Sequence, residues 1–293
     1  MRFVFLPLLI HHLTMSFFEK LLHHSQEVSS FEQEIYAQHL HRNVRLTIIL
    51  PPEYHNSFFI FSHYRVIYFN DGQDFHALHM NEIVSRLYKE DKLKKIIIVG
   101  IHANADRLQE YGTACQADYK NRGAKAGTHS KFVVEELVPH IENHFRVKRG
   151  AENRVMAGFS LGGLSAMDIG WNYAHYFSKI GVFSGALWWR KRAYEDHYDD
   201  HNDRIMHVQV RNGHYQPHLK FWFEAGTNDE TSDRNGNGII DAIDDTLDLI
   251  KELEGKGYQN GKEIRYVEVQ GGMHNQETWA QVMPDFLVWA FGR

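Results

Sequence analysis

Residues 154–164 read RVMAGFSLGGL. An apolar run ends at Phe159, Ser160 follows, and a helical pattern occupies 161–170. Within it, Gly158-Phe159-Ser160-Leu161-Gly162 is a G-x-S-x-G match set between a strand and a helix. In that setting a serine sits on a sharp turn with its hydroxyl raised clear of the sheet. Side chains two residues before and after it would collide across the turn, so both positions call for glycine. Gly163 lets the helix pack close to the strand. The helix N-terminus turns its free N–H groups, that of Leu161 first, and the positive end of its dipole towards the serine. A bare G-x-S-x-G is a weak pattern, and a chance Gly/Ser turn is the competing reading. The flanking strand, helix and third glycine favour a nucleophile.

Outward from this turn the chain alternates short apolar runs with helical patterns. Residues 65–69, 96–100, 154–159, 179–183, 219–225 and 264–269 are rich in β-branched and aromatic residues, as buried parallel strands are. Helical stretches span 78–90, 128–144, 161–170, 240–255 and 277–291. Ahead of them, 31–38 and 43–50 alternate apolar with polar residues, and the second run stops at Pro51-Pro52. The expected architecture is α/β: a mostly parallel central sheet, an antiparallel N-terminal strand pair, and helices on both faces. No linker or repeat divides residues 30–293, so they read as one domain behind an N-terminal extension, 1–29. In such sheets the active site lies beyond the carboxyl ends of the strands.

Those ends supply partners for Ser160. A Ser-then-acid-then-His order is expected, with the histidine after the last core strand. Gln270-Gly271-Gly272-Met273-His274 stands there, and of 21 histidines only His274 has that position and a Gly-rich lead-in. The strand before it runs into Gly226-Thr227-Asn228-Asp229-Glu230. Asp229 is the expected acid that fixes the imidazole tautomer, with Glu230 and Asp233 as runners-up. Leu161 offers one oxyanion donor. The loop Asn70-Asp71-Gly72-Gln73 offers a second through a backbone N–H near Gly72 or Gln73, a plain Asp-Gly turn being the alternative.

Composition narrows the classes. Hydrophobic residues make up 43% and charged residues 24%, with a net charge of −5, which argues against a general polyanion binder. The single Cys115 permits no internal disulfide and reads as a small buried residue rather than a nucleophile. The opening MRFVFLPLLI is too short to span a membrane and lacks a signal-type cleavage site. Met15 is a candidate true start. A cytoplasmic location is expected, a secreted or periplasmic one if residues 1–14 act as a signal segment. No nucleic acid or membrane partner is expected, and oligomeric state is not legible.

From about residue 30 onward the chain resembles the putative-esterase family of α/β-hydrolases. That family includes enterochelin-esterase-like enzymes, feruloyl-esterase domains, S-formylglutathione hydrolases and mycolyltransferases. The resemblance rests on VIYFNDGQDF (66–75), VGIHANADRLQEY (99–111), MAGFSLGGLSA (156–166), GVFSGALWW (181–189), FEAGTNDE (223–230) and GGMHNQETWAQVMPDFLVW (271–289). It implies an α/β-hydrolase fold and a serine carboxylic-ester hydrolase that acts on a small-molecule ester with no catalytic cofactor. It further implies that Ser160, Asp229 and His274 form the triad, that Arg107, Glu110 and Tyr111 shape the pocket rim, and that Trp188 and Trp189 line the substrate site. The alternatives are a siderophore esterase, a feruloyl or acetyl esterase on carbohydrate, an acyltransferase, and a non-catalytic binding module. One departure follows Asp229. Asp233, Asn235, Asn237 and Gly238 occupy the first, third, fifth and sixth places of a calcium-loop template, and Asp244 the twelfth. A structural calcium loop and an Asn/Gly-rich turn that caps the next helix are both open.

Overall fold

A computed structural model describes residues 27–293. The expectations for residues 1–14 and for most of the 1–29 extension fall outside that range. Eight strands form one sheet in the order β1-β2-β4-β3-β5-β6-β7-β8. They are β1 Ser29–Ala37, β2 Arg42–Leu50, β3 Arg65–Asn70, β4 Ile96–Ile101, β5 Arg154–Phe159, β6 Lys179–Phe183, β7 Lys220–Asn228 and β8 Ile264–Met273. β1 pairs antiparallel with β2, β2 antiparallel with β4, and all later pairings are parallel. The architecture is therefore the expected one.

The helices are α1 Met80–Lys89, the short α2 Arg107–Glu110, α3 Ala126–Lys131, α4 Val138–His144, α5 Leu161–Asn172, α6 Asp200–Asp203, α7 Ile205–Asn212, α8 Asp241–Lys256 and α9 Gln276–Phe291. The run expected as one helix over 128–144 is broken by a wider turn of helix at Phe132–Leu137. Pro139 explains this: it opens α4 without an N–H to give back to the preceding turn.

Alternation along the strands sorts the core. Ile67 and Phe69 of β3 face one side, where α1 and α9 pack. Val66 and Tyr68 face the other, under Phe132, Leu137, Val138 and Ile141. Farther along that second side, α5, α7 and α8 cover β6 and β7. β3, β4 and β5 are buried on both faces, which is why their sequences are continuous apolar runs. No helix among the described residues is long and apolar enough to cross a membrane.

Topology places the functional end. β3 has β4 on one side and β5 on the other, so the chain reverses its direction of travel across the sheet there. A crevice opens beyond the strand ends at such a switch point. Asn70-Asp71 and Ser160 are the residues that meet in it. Phe69, beneath them, stacks on Phe159 at 5.7 Å and meets Phe75 and Phe286 edge-on at 5.5 and 5.8 Å. Phe69→Ala should destabilise the protein by about 3–5 kcal/mol, the usual cost of emptying an aromatic site in a core. Guanidinium unfolding of the two proteins measures this, with an unchanged midpoint as the contrary outcome.

Candidate active site

Ser160 stands at φ 54°, ψ −123° between β5 and α5. A non-glycine residue pays strain for that conformation and keeps it only where neighbours enforce it. Here they do: the Ser160 N–H donates to Phe183 O at 2.8 Å, and its carbonyl accepts from Gly163, Leu164 and Ala186 N–H. A Cβ on Gly158 would lie 2.2 Å from Gly162 O, as the crossing argument requires. Gly162 is constrained differently. A Cβ there would lie 2.3 Å from Asp71 Oδ2, so this glycine admits the neighbouring turn rather than Gly158. Leu161 opens α5, and its N–H has no acceptor within the helix.

The neighbouring turn is built tightly. Asp71, left-handed at φ 63°, precedes a single 3-10 turn, Gly72–Phe75. Gly72 lies against β4, where a Cβ would fall 2.3 Å from the Gly100 carbonyl carbon. The Gln73 side chain serves the scaffold: Nε2 donates to Asp71 Oδ1 at 3.0 Å and Oε1 accepts from Ala103 N–H at 3.0 Å. Backbone N–H groups at 72–73 remain as the candidate second oxyanion donor. Asn70 Nδ2 donates to Gly162 O at 2.9 Å, and its Oδ1 meets His129 Nε2 at 3.1 Å. Burial, aided by Arg42, holds His129 neutral by lowering its pKa to about 3.

Arg107 has a structural role. Its Nε and Nη2 each donate to Asp71 at 2.7 Å, so the partly exposed guanidinium clamps the turn. Glu110 and Tyr111 are buried, Glu110 paired with Arg42 and the Tyr111 hydroxyl accepting the Asp71 N–H. They support the turn from below rather than forming a rim. Trp189 is also corrected: it is fully buried and packs beside Gly112 and Gly123. Trp188 is half-buried and open to a cavity of about 430 Å³ that it shares with Arg190, Tyr194, Glu230 and Arg234. Arg190 lies 3.8 Å from the Tyr194 ring centre and 4.7 Å from that of Tyr119.

The acid and the base arrive on adjacent strands. β7 and β8 end with Asn228 opposite Met273, so Asp229 and His274 each follow the last paired residue. The lead-in to His274, expected as a free Gly-rich loop, is instead the end of β8 with a register shift opposite Gly226/Asn228. Its glycines are needed for that bulge. Gly271 takes φ 72°, and a Cβ on Gly226 would lie 2.4 Å from Gly272 O. Met273 N–H donates to Thr278 Oγ1 at 2.9 Å, and Asn275 caps α9 through Thr278 N–H at 3.0 Å, which fixes the backbone on both sides of His274. The Trp279 ring meets the imidazole edge-on at 5.4 Å.

Burial lowers the His274 pKa, the Asp229 carboxylate raises it, and Arg107 lowers it further. The Asp229 carboxyl is lifted by burial, against the pull of Ser184, the Gly226 backbone and His274. No hydrogen bond joins Ser160, His274 and Asp229 among the described residues, and both Asp229 oxygens are buried without a partner. Catalytic hydrogen bonds often tighten only once substrate is bound. Of the runner-up acids, Asp233 is committed to its own loop, where it accepts from the N–H groups of Gly236, Asn237 and Gly238.

A further acid was not anticipated. Glu224 of β7 is 1% exposed, and the Ser184 hydroxyl lies 3.4 Å from its Oε2. Ser184 Oγ in turn accepts from Trp279 Nε1 at 2.9 Å. The signal was an acidic residue set inside the apolar run FWFEA. Cys115, expected to be buried, is exposed.

In the 233–244 loop, Asn235 Nδ2 and Asn237 Nδ2 both donate to Asp244 Oδ2, at 2.9 and 2.7 Å. Asp241, at the ninth place, turns away to Arg234. Arg234 also donates to Asp200 at 2.7 Å, and it pairs with Asp245.

The family described as "Putative esterase" matches residues 37–290, and the chain belongs to it. The protein is a carboxylic ester hydrolase with an α/β-hydrolase fold. Among curated relatives, the uncharacterized protein YbbA of Bacillus subtilis is 24% identical over 263 residues, covering 88% of this chain and 96% of YbbA. Solved structures share the fold. A ferulic acid esterase gives a TM-score of 0.66 at 17% identity, covering 90% of this chain and 98% of its own. The enterobactin esterase FES of Shigella flexneri, solved with 2,3-di-hydroxy-N-benzoyl-serine, gives 0.69 at 18% identity, covering 89% of this chain and 59% of its own. An IroE-like serine hydrolase of Shewanella oneidensis gives 0.66 at 22% identity, covering 89% and 79%.

Removing the clamp tests the architecture. Arg107→Ala strands the Asp71 carboxylate, which is 1% exposed. A loss of about 3 kcal/mol is expected, the low end for breaking a buried pair because Arg107 itself is partly solvated. Denaturant melts of Arg107→Ala, beside an Asp71→Ala, Arg107→Ala double variant that should recover part of the loss, measure it. Wild-type stability in the single variant would contradict the clamp.

Proposed function

We propose that this esterase works through a Ser160–His274–Asp229 triad and an acyl-enzyme, and that its preferred esters carry a polar aromatic group. The register that ends with Asn228 opposite Met273 carries the first half of the proposal, since it delivers an acid and a base side by side at the crevice end of the sheet. His274 takes the Ser160 proton as the oxygen attacks the ester carbonyl. The oxyanion is met by the Leu161 N–H and a backbone N–H at 72–73. The alcohol leaves with a proton from His274. Water, activated by the same imidazole, then hydrolyses the acyl-serine.

The substrate half rests on the cavity beside Trp188. Trp188 and Tyr194 offer ring faces, Arg190 a cation held between aromatic rings, and Glu230 an acceptor. Such a lining suits a hydroxylated or acidic aromatic group. That chemistry is shared by ferulic acid and 2,3-di-hydroxy-N-benzoyl-serine, the compounds named with the structural relatives.

Ser160→Ala should lower kcat by about a thousandfold or more on every ester turned over, and wild type alone should label with a fluorophosphonate. Equal rates in both proteins would overturn the triad. Trp188→Ala should raise KM about two- to tenfold for aryl esters, the worth of one aromatic contact, and leave acetate esters unaffected. An equal effect on both would overturn the aromatic preference. Because burial lowers the His274 pKa, the base stays unprotonated, and kcat/KM stays high, at a pH somewhat below the ordinary imidazole range.

For the 233–244 loop we propose a structural calcium ion held by Asp233, Asn235, Asn237 and Asp244. The donor set is all oxygen, which suits a hard cation. The two Asn side chains now bonded to Asp244 would turn their oxygens inward to receive it. Calcium at a hundredfold excess over its Kd would add about 2.7 kcal/mol, a rise in melting temperature of about 5 °C for a chain this size. Chelator-treated protein that melts at the same temperature with and without calcium would leave the loop as a helix-capping turn.

A further inference from the structure

Glu224 lies directly behind the acid of the site, and its neighbours limit its charge. Three buried carboxyl oxygens there have no hydrogen-bond partner: Glu224 Oε1 and both oxygens of Asp229. Buried acceptors rarely stay unmatched. The donors within reach are few. Trp279 N–H is spent on Ser184 Oγ. The Ser184 hydroxyl has one proton and faces both acids, Glu224 Oε2 at 3.4 Å and the Asp229 carboxyl. The His274 ring can supply one N–H. The Gly226 backbone also bears on Asp229, but none of these donors reaches Glu224 Oε1, which has no partner and is placed to carry a carboxylic proton of its own. Two carboxylates held together in a buried site cannot both ionise, and Asp229 is the one that must, because it faces the histidine.

We propose that Glu224 is a positioning residue of the esterase: a buried carboxylic acid that keeps its proton and, together with the Ser184 hydroxyl, holds Asp229 ionised and turned towards His274. The inference rests on the triad reading above. Ser184 is itself held in a left-handed conformation at φ 44°, with its N–H donating to Glu224 O at 2.8 Å, so hydroxyl and strand are locked together. The charged and titratable groups facing the cluster are Asp229 after β7, His274 after β8, Tyr266 on β8, and Arg107 opposite His274. The contact from α9 is the uncharged indole of Trp279. Desolvation, then the Asp229 charge, pushes the Glu224 carboxyl up to about 8. Above that pH the two acids repel. Glu224 is fixed within its strand, whereas Asp229 follows the strand end and is partly exposed, so Asp229 is the one that swings away from the histidine.

The test is the pH profile of kcat/KM on one activated ester for wild type, Glu224→Gln, Glu224→Ala and Ser160→Ala. Wild type should lose activity above about pH 8. Glu224→Ala should lose kcat by about tenfold at pH 7 with little change in KM, equivalent to roughly 1.4 kcal/mol of barrier. Glu224→Gln, which keeps a donor but cannot ionise, should recover most of that kcat and extend the active range to higher pH. If the Ala variant does not fold, the Gln profile alone decides. A Gln profile that falls with wild type above pH 8, or a Gln variant as slow as Ala, would overturn the proposal. Unimpaired Ser160→Ala would instead overturn the triad on which it stands, so the two failures are distinct.

Discussion

The catalytic end of the molecule depends on how closely the end of β3 approaches the turn that carries Ser160. Asp71 comes within what would be bonding range of any side chain at position 162, so only glycine fits there. Asn70 ties itself to the Gly162 carbonyl, and Arg107 holds the Asp71 carboxylate with two short bonds. This one approach brings the Asp71 turn and the Ser160 turn together. It also accounts for Tyr111 and His129, polar side chains buried beneath that end of the sheet, and for Gln73, an exposed residue whose side chain ties Asp71 to the Ala103 N–H.

Charge at this end is apportioned so that one histidine has one acid. Four carboxyls stand at this end, Asp71 beside Asp74 and Asp229 beside Glu224. Asp71 is neutralised by Arg107. Glu224, deep in the sheet, is desolvated and carries a raised pKa. Asp229, at the strand end, is left to face His274. His129 is kept neutral by burial and does not compete as a base. Two carboxyls only five residues apart in sequence thus sit in different surroundings, because one lies within β7 and the other just beyond it.

Much of this was legible in the chain, for identifiable reasons. The eight strands follow from two alternating and six apolar runs, and the placement of Ser160, Asp229 and His274 at strand ends follows from where those runs stop. Roles set by tertiary packing were less legible. Trp189 carries the same letter whether it lines a pocket or supports one, and only its burial shows that it supports. The glycines before His274 announced a turn, but pairing across to Gly226 made them a bulge. α7 went unseen because IMHVQVRN mixes β-branched and polar residues without a capping signal, and it is held by the α8 face it packs on. Glu224 stood in plain view as a charge in an apolar strand. Its meaning required knowing that Ser184 and Asp229 fold against it.

The segment after Asp229 is anchored by charge rather than by apolar packing. Arg234 is fixed to Asp200 and Asp245, and Arg204 joins Asp245 and Asp248 at 2.6 and 2.7 Å. This network binds the inserted loop, α6, α7 and α8 into one block on the far side of the Trp188 cavity. The wall of that cavity is therefore set by residues after β6 and β7, while the Ser160 and Asp71 turns are set by β3 and β5. The two sets meet in two places: the segment after β6 also holds the Ser160 turn, since Ala186 N–H donates to Ser160 O at 3.0 Å, and Asp229 stands between the cavity residue Glu230 and the buried Glu224. A change in the pocket would reach the site through either.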